Sequence, residues 1–118
     1  MAGITKKSFD APDETRTPPK ATADIVRLGG SSVGRLAVEP GWRWSEHMGP
    51  VAGTDSCQNR HLGAMISGAI HVVHEDGSEE DIRTGDIYSI EPGHDAWVLG
   101  DEPAVAMEFE SAEDYAKA

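Results

Sequence analysis

The chain has 118 residues, enough for one domain with a modest core and too few for two. It carries 10 Lys+Arg against 21 Asp+Glu, a formal net charge of -11. That balance argues against nucleic acid and against an anionic membrane surface as partners, because both are held by basic patches.

The opening stretch MAGITKKSFDAPDE has no apolar core, unlike a secretory leader. Residues 1–20 carry charge, Thr and Pro and little to bury, so they read as an extended arm with Phe9 as its one sizeable anchor. ADIVRL (23–28) and VGRLAV (33–38) read as strands either side of a Gly29-Gly30-Ser31-Ser32 turn. Glu39-Pro40-Gly41 ends the second of them. Residues 42–47 alternate, with Trp42 and Trp44 on one side and Arg43, Ser45 and His47 on the other, which predicts another strand. A loop over 48–56 follows, then a strand over Cys57–Ile66 that is apolar on both faces. Cys57 is the only cysteine, so no intrachain disulfide can form. Shorter strands are expected over 69–74, 79–83, 87–90, 94–99 and 104–109, each bounded by Gly, Pro or Asp turns. The tail 111–118 reads as a short helical turn with Ser111 as N-cap. No apolar run approaches the roughly 20 residues of a membrane span. A reducing cytoplasm is the expected compartment. Short strands at this spacing, with no long helix, are the pattern of an all-β sandwich or barrel over residues 21–110.

Gly41–Phe109 resembles the cupin superfamily, the double-stranded β-helix or jelly-roll barrel. Gly41 and His47 match the opening Gly and first His of the family's first motif, and His61 and Gly68 stand where its closing Glu and Gly fall. Gly85, Gly93 and the turn around Pro92 match the second motif, with the proline one place late. The resemblance implies a small barrel with a pocket at its mouth, a divalent ion in that pocket, and a homodimer. The usual ligand positions are altered, however. The family's second His falls at Gly49, its Glu at His61, and its last His at Ala96, two residues after His94. Cys57 precedes His61 by the separation at which the family's second His precedes its Glu, and His94 shares strand parity with Ala96.

If the 48–56 loop bulges outward, His47, Cys57, His61 and His94 converge. One thiolate and three imidazoles suit a borderline-soft divalent ion, Zn²⁺ first and Ni²⁺, Fe²⁺ or Cu²⁺ after it. Trp44, Asp55, Gln58, Tyr88 and Trp97 are the candidate lining of the pocket. His71 and His74, three apart on a strand, face opposite ways and read as surface residues. Glu108 is expected at a solvated strand edge. Outward-facing Leu62, Ala64 and Ile66 are expected to be covered by a partner sheet or by the N-terminal arm. The functional expectation is a metal-binding protein that binds or acts on a small polar molecule. Two readings stand beside it: a metal-free small-molecule-binding or sensory module, and a metal-free acid–base enzyme of dehydratase or epimerase type.

Overall fold

The computed structural model of the chain describes residues 3–111. The strands are β1 (Glu14–Arg16), β2 (Ala21–Leu28), β3 (Ser31–Val38), β4 (His61–Ser67), β5 (Ala69–His74), β6 (Glu79–Arg83), β7 (Ile87–Ile90), β8 (His94–Val98) and β9 (Ala104–Phe109). Two helical turns, α1 (Trp44–His47) and α2 (Gly49–Ala52), lie between β3 and β4. The strands form a six-stranded sheet in the order β1-β2-β3-β9-β4-β7 and a three-stranded sheet in the order β6-β5-β8. Every pairing is antiparallel. The chain is therefore an all-β jelly roll, as the turn spacing predicts.

Alternation decides which side chains meet between the sheets. Leu36 and Val38 of β3, Met65 of β4, Val72 of β5, Ile82 of β6, Val98 of β8 and Ala106 of β9 are buried in one cluster with Trp42 and Trp44. Their neighbours along each strand face outward. Within the 1–20 arm, Glu14–Arg16 adds an edge strand to β2, with Glu14 opposite Ile25. Further up the arm, the Arg35 guanidinium lies over the Phe9 ring at 5.2 Å. Of the 111–118 tail only Ser111 is described; the helical turn expected there lies outside the described residues.

Two local readings are corrected. Residues 44–47 form a helical turn and not a strand. Asp95 of β8 explains the change: its carboxylate accepts the Ser45 N–H at 2.9 Å and the Ser45 hydroxyl at 2.8 Å, so it satisfies the start of the turn from outside. Arg43 remains extended and bridges Trp97. The strand expected from Cys57 starts only at His61, while Cys57 itself makes an isolated bridge to His94.

Candidate metal centre

Three elements carry the centre. His61 opens β4 with an inward side chain, followed on the same face by Gly63 and Met65. His94 opens β8 and is inward with Ala96 and Val98. Cys57 sits before β4 and is docked to β8 by backbone bonds: its N–H donates to the His94 carbonyl at 2.7 Å, and its own carbonyl accepts the Gly93 N–H at 2.7 Å. All three side chains are buried. Cys57 Sγ and one ring nitrogen of each histidine lie within 4.8 Å of one another. Sγ is 3.4 Å from His61 Nε2, and the two imidazoles meet edge-on with centroids 5.0 Å apart.

The far nitrogen of each ring is held by an acceptor. His61 Nδ1 donates to Glu108 Oε1 at 2.7 Å, and His94 Nδ1 donates to the Glu91 carbonyl at 2.8 Å. Acceptors at both Nδ1 atoms fix the tautomers that leave Nε2 free to ligate, and they raise the ligands' basicity. Glu108 is itself saturated: Oε2 accepts the Tyr88 hydroxyl at 2.6 Å, and Oε1 accepts the Ser111 hydroxyl at 2.8 Å.

The register makes room for this network. Gly63 lies opposite Tyr88 on one side and Glu108 on the other. A Cβ at 63 would stand 2.5 Å from the Met107 carbonyl, 2.7 Å from the Tyr88 hydroxyl and 2.9 Å from Glu108 Cγ. Gly63→Ala is therefore expected to lower stability by about 1–3 kcal/mol through overpacking. It should also displace the carboxylate from His61. Urea denaturation reads the first effect and metal affinity the second; a variant that matches wild type in both refutes this role of the glycine.

Burial works against charge on all three members of the chain Cys57, His61 and Glu108, and their mutual bonds prevail. Burial pushes the Cys57 thiol up, but hydrogen bonds from His61 and His94 bring it down to about 6. Burial pushes His61 down, but its bonds to Cys57 and Glu108 raise it to about 10. Glu108, despite its burial, is held below the usual carboxylate range chiefly by His61. Tyr88 is pushed up by burial and by the charge of Glu108, so it stays a hydroxyl donor. Without metal, the His61 imidazolium is clasped between a thiolate and a carboxylate.

The donor set fits a metal. Bond lengths of 2.0–2.3 Å at a tetrahedral ion put neighbouring N and S ligands about 3.5 Å apart. The Cys57–His61 separation of 3.4 Å already matches. Three protein donors leave a position open for a small molecule. Beside the donors is a cavity of about 60 Å³, lined mainly by apolar side chains that include Val38, Trp42, Trp44, Met65 and Ile90. The short side chains of Ala96, Ala104 and Ala106 leave it unfilled.

No protein-family model matches the sequence, and no curated protein matches it either. Solved structures do. The Lactobacillus farciminis oxalate decarboxylase formate complex superposes with a TM-score of 0.64 at 16% identity, covering 96% of this chain and 35% of that one. FeII HppE gives 0.63 at 12% identity, covering 91% and 60%. A Rhizobium leguminosarum protein of unknown function gives 0.64 at 16% identity over 92% of this chain and 97% of its own. The chain thus spans about a third of the oxalate decarboxylase. The fold is a cupin fold.

In this cupin barrel the predicted residues divide. Cys57, His61 and His94 come together. His47 does not join them: it ends α1, half-buried, with Nδ1 accepting the Arg43 N–H at 3.0 Å. Its expected place rests on the match to the family's first motif along an extended stretch, and the helical turn replaces that stretch. Trp44 and Tyr88 line the cavity. Trp97 faces outward, stacked between the Arg43 guanidinium at 4.4 Å and the His71 ring at 4.9 Å. Asp55 and Gln58 are exposed, and Gln58 Nε2 donates to the Ser56 hydroxyl at 2.8 Å. His71 bonds Asp81 and Glu79; His74 stands opposite His94 in the β5–β8 register, but its ring bonds the Pro92 carbonyl, and neither belongs to the donor cluster. Glu108 corrects the expectation of a solvated carboxylate, being only 4% exposed. The signal was present in AVAMEF, where Glu108 shares parity with inward Ala104 and Ala106.

Among the described residues no helix is long and apolar enough to cross a membrane.

Proposed function

We propose that this protein is a small metal-binding cupin whose divalent ion is held by Cys57, His61 and His94. The observation that carries the reading is the convergence of one sulfur and two imidazoles whose far nitrogens are each bonded to an acceptor. The donor set favours Zn²⁺, with Ni²⁺, Fe²⁺ and Cu²⁺ as competitors. A bound ion would supply Lewis acidity to a small molecule entering the cavity. The protein's own part is to hold the ion beside an apolar wall, with Glu108 and Tyr88 fixing the His61 ring. We place the protein in a reducing cytoplasm, where a lone thiol is kept reduced.

Metal analysis of protein purified without an affinity tag tests this. A stoichiometric divalent ion is expected, lost in Cys57→Ser or reduced at least tenfold in affinity. Metal-free protein that cannot be reloaded would discard the reading. The competing acid–base reading draws on the Cys57–His61–Glu108 chain, which could move a proton without an ion. Turnover that survives a chelator would favour it.

We also propose a homodimer through the outer face of β4, β7 and β9. Leu62, Ile66, Ile87 and Phe109 are exposed. The pairings of Ala64 with Ile87 and with Met107 place them on one surface. Light scattering should give the mass of two chains, and Ile87→Glu should give one. A wild-type monomer at micromolar concentration overturns this proposal.

A further inference from the structure

We infer that the cavity takes a small uncharged molecule bearing a hydrogen-bond acceptor, and discriminates against small carboxylates. The inference rests on the metal-centre reading only for where the ligand's head group sits.

Three observations carry it. First, among the described residues none lining the cavity is Arg or Lys, and the one carboxylate there, Glu108, is fully engaged by His61, Tyr88 and Ser111. An anion entering apolar walls gives up its hydration and meets no unpaired cation, because the His61 imidazolium is already held between the Cys57 thiolate and Glu108. An ion held by the Cys57 thiolate beside Glu108 has both its charges matched already. Fold likeness to an oxalate decarboxylase therefore does not bring a dicarboxylate with it. Second, the cavity is about 60 Å³, whereas on that measure about 10–15 Å³ holds one water and an engineered cavity of about 150 Å³ holds benzene. A ligand of a few heavy atoms fits. Third, Trp42 lines the cavity, is 5% exposed, and its buried indole N–H has no acceptor among the described residues. Buried donors are rarely left so, and an acceptor oxygen on the ligand would satisfy this one.

Acetamide and acetate test the inference, because they share a shape and differ in charge. Protein loaded with Co²⁺ gives a visible spectrum with a thiolate-to-metal band, which reports the metal site independently of the ligand. Titration followed by that spectrum should show acetamide saturating at least tenfold more tightly than acetate, and benzamide failing to bind. Trp42→Phe removes the donor and should weaken acetamide about two- to tenfold, with the Co²⁺ band unchanged. Acetate binding as tightly as acetamide overturns the charge discrimination. Unchanged acetamide affinity in Trp42→Phe overturns the acceptor. If no thiolate-to-metal band forms, the metal reading has failed by itself. The same pair is then titrated on the metal-free protein by calorimetry, where a preference for acetamide upholds the inference and equal binding, or none, overturns it.

Discussion

Changing His61→Ala should abolish stoichiometric metal binding and destabilise the metal-free fold by about 3 kcal/mol, the low end of the cost of breaking a buried ion pair. The metal loss follows from the donor count: two ligands remain of three, and Cys57 Sγ loses the nitrogen 3.4 Å away. The stability loss follows from Glu108. Its carboxylate is 4% exposed and would keep the Tyr88 and Ser111 hydroxyls but lose its one cationic partner among the described residues. Those two hydroxyls are the reason to expect the low end of the range. His47→Ala is the control. It removes one bond to the Arg43 N–H at the edge of a helical turn, worth about 1 kcal/mol or less, and should leave the metal in place. Metal analysis and urea denaturation of chelator-treated protein read both variants. Metal retained in His61→Ala and lost in His47→Ala would invert the assignment.

The contrast between His47 and His94 shows where a sequence carries this site and where it stops. Parity placed His94 correctly because β8 is a true strand, with Ala96 and Val98 buried beside it. The same parity puts Trp97 outside the pocket it was expected to line, between the Arg43 guanidinium and the His71 ring. The motif match misplaces His47 because it presumes an extended stretch, and alternation over six residues cannot tell a strand from a turn captured by a distant carboxylate. Asp95, fifty residues away, decides that question. Cys57 was reached through its spacing from His61, yet what holds it inward is a backbone bridge to His94. The barrel itself was legible because turn residues recur at strand spacing, and these survive errors in any single element.

Glu108 carries a further lesson. A carboxylate on the inward parity of an apolar strand reads poorly, because burial of a charge is unfavourable unless partners are fixed around it. Here the partners come from β4, β7 and the residue that follows β9 by two positions, and Gly63 supplies the room. No one segment of sequence holds that arrangement. It exists only in the register of three strands, and the barrel's topology is what turns a lone glutamate into the group that orients the His61 ring.

Metal affinity should rise about tenfold per pH unit between pH 6 and pH 10, because one proton leaves for each ion bound. The ordinary imidazole value of 6.5 is raised to about 10 at His61, so its Nε2 carries a proton through most of that window, and an ion must displace it. The thiol of Cys57, ordinarily at 9.0, is lowered to about 6, so it is already a thiolate there and releases nothing. Below pH 6 both atoms are protonated and the slope should double; above pH 10 it should flatten. The metal-free fold follows the same two groups with opposite signs. Stability from the lowered Cys57 is lost as pH falls through 6, and stability from the raised His61 is lost as pH rises through 10. The apoprotein should therefore be most stable between those limits, just where metal affinity is climbing. Competition with a chromophoric chelator gives the slope, and thermal melts of chelated protein give the stability profile. Glu108→Gln should shift the flattening to lower pH by removing an anion that holds the His61 proton. An affinity that does not change between pH 7 and pH 9 would mean that His61 enters the site neutral and that the clasp between Cys57 and Glu108 does not exist in solution.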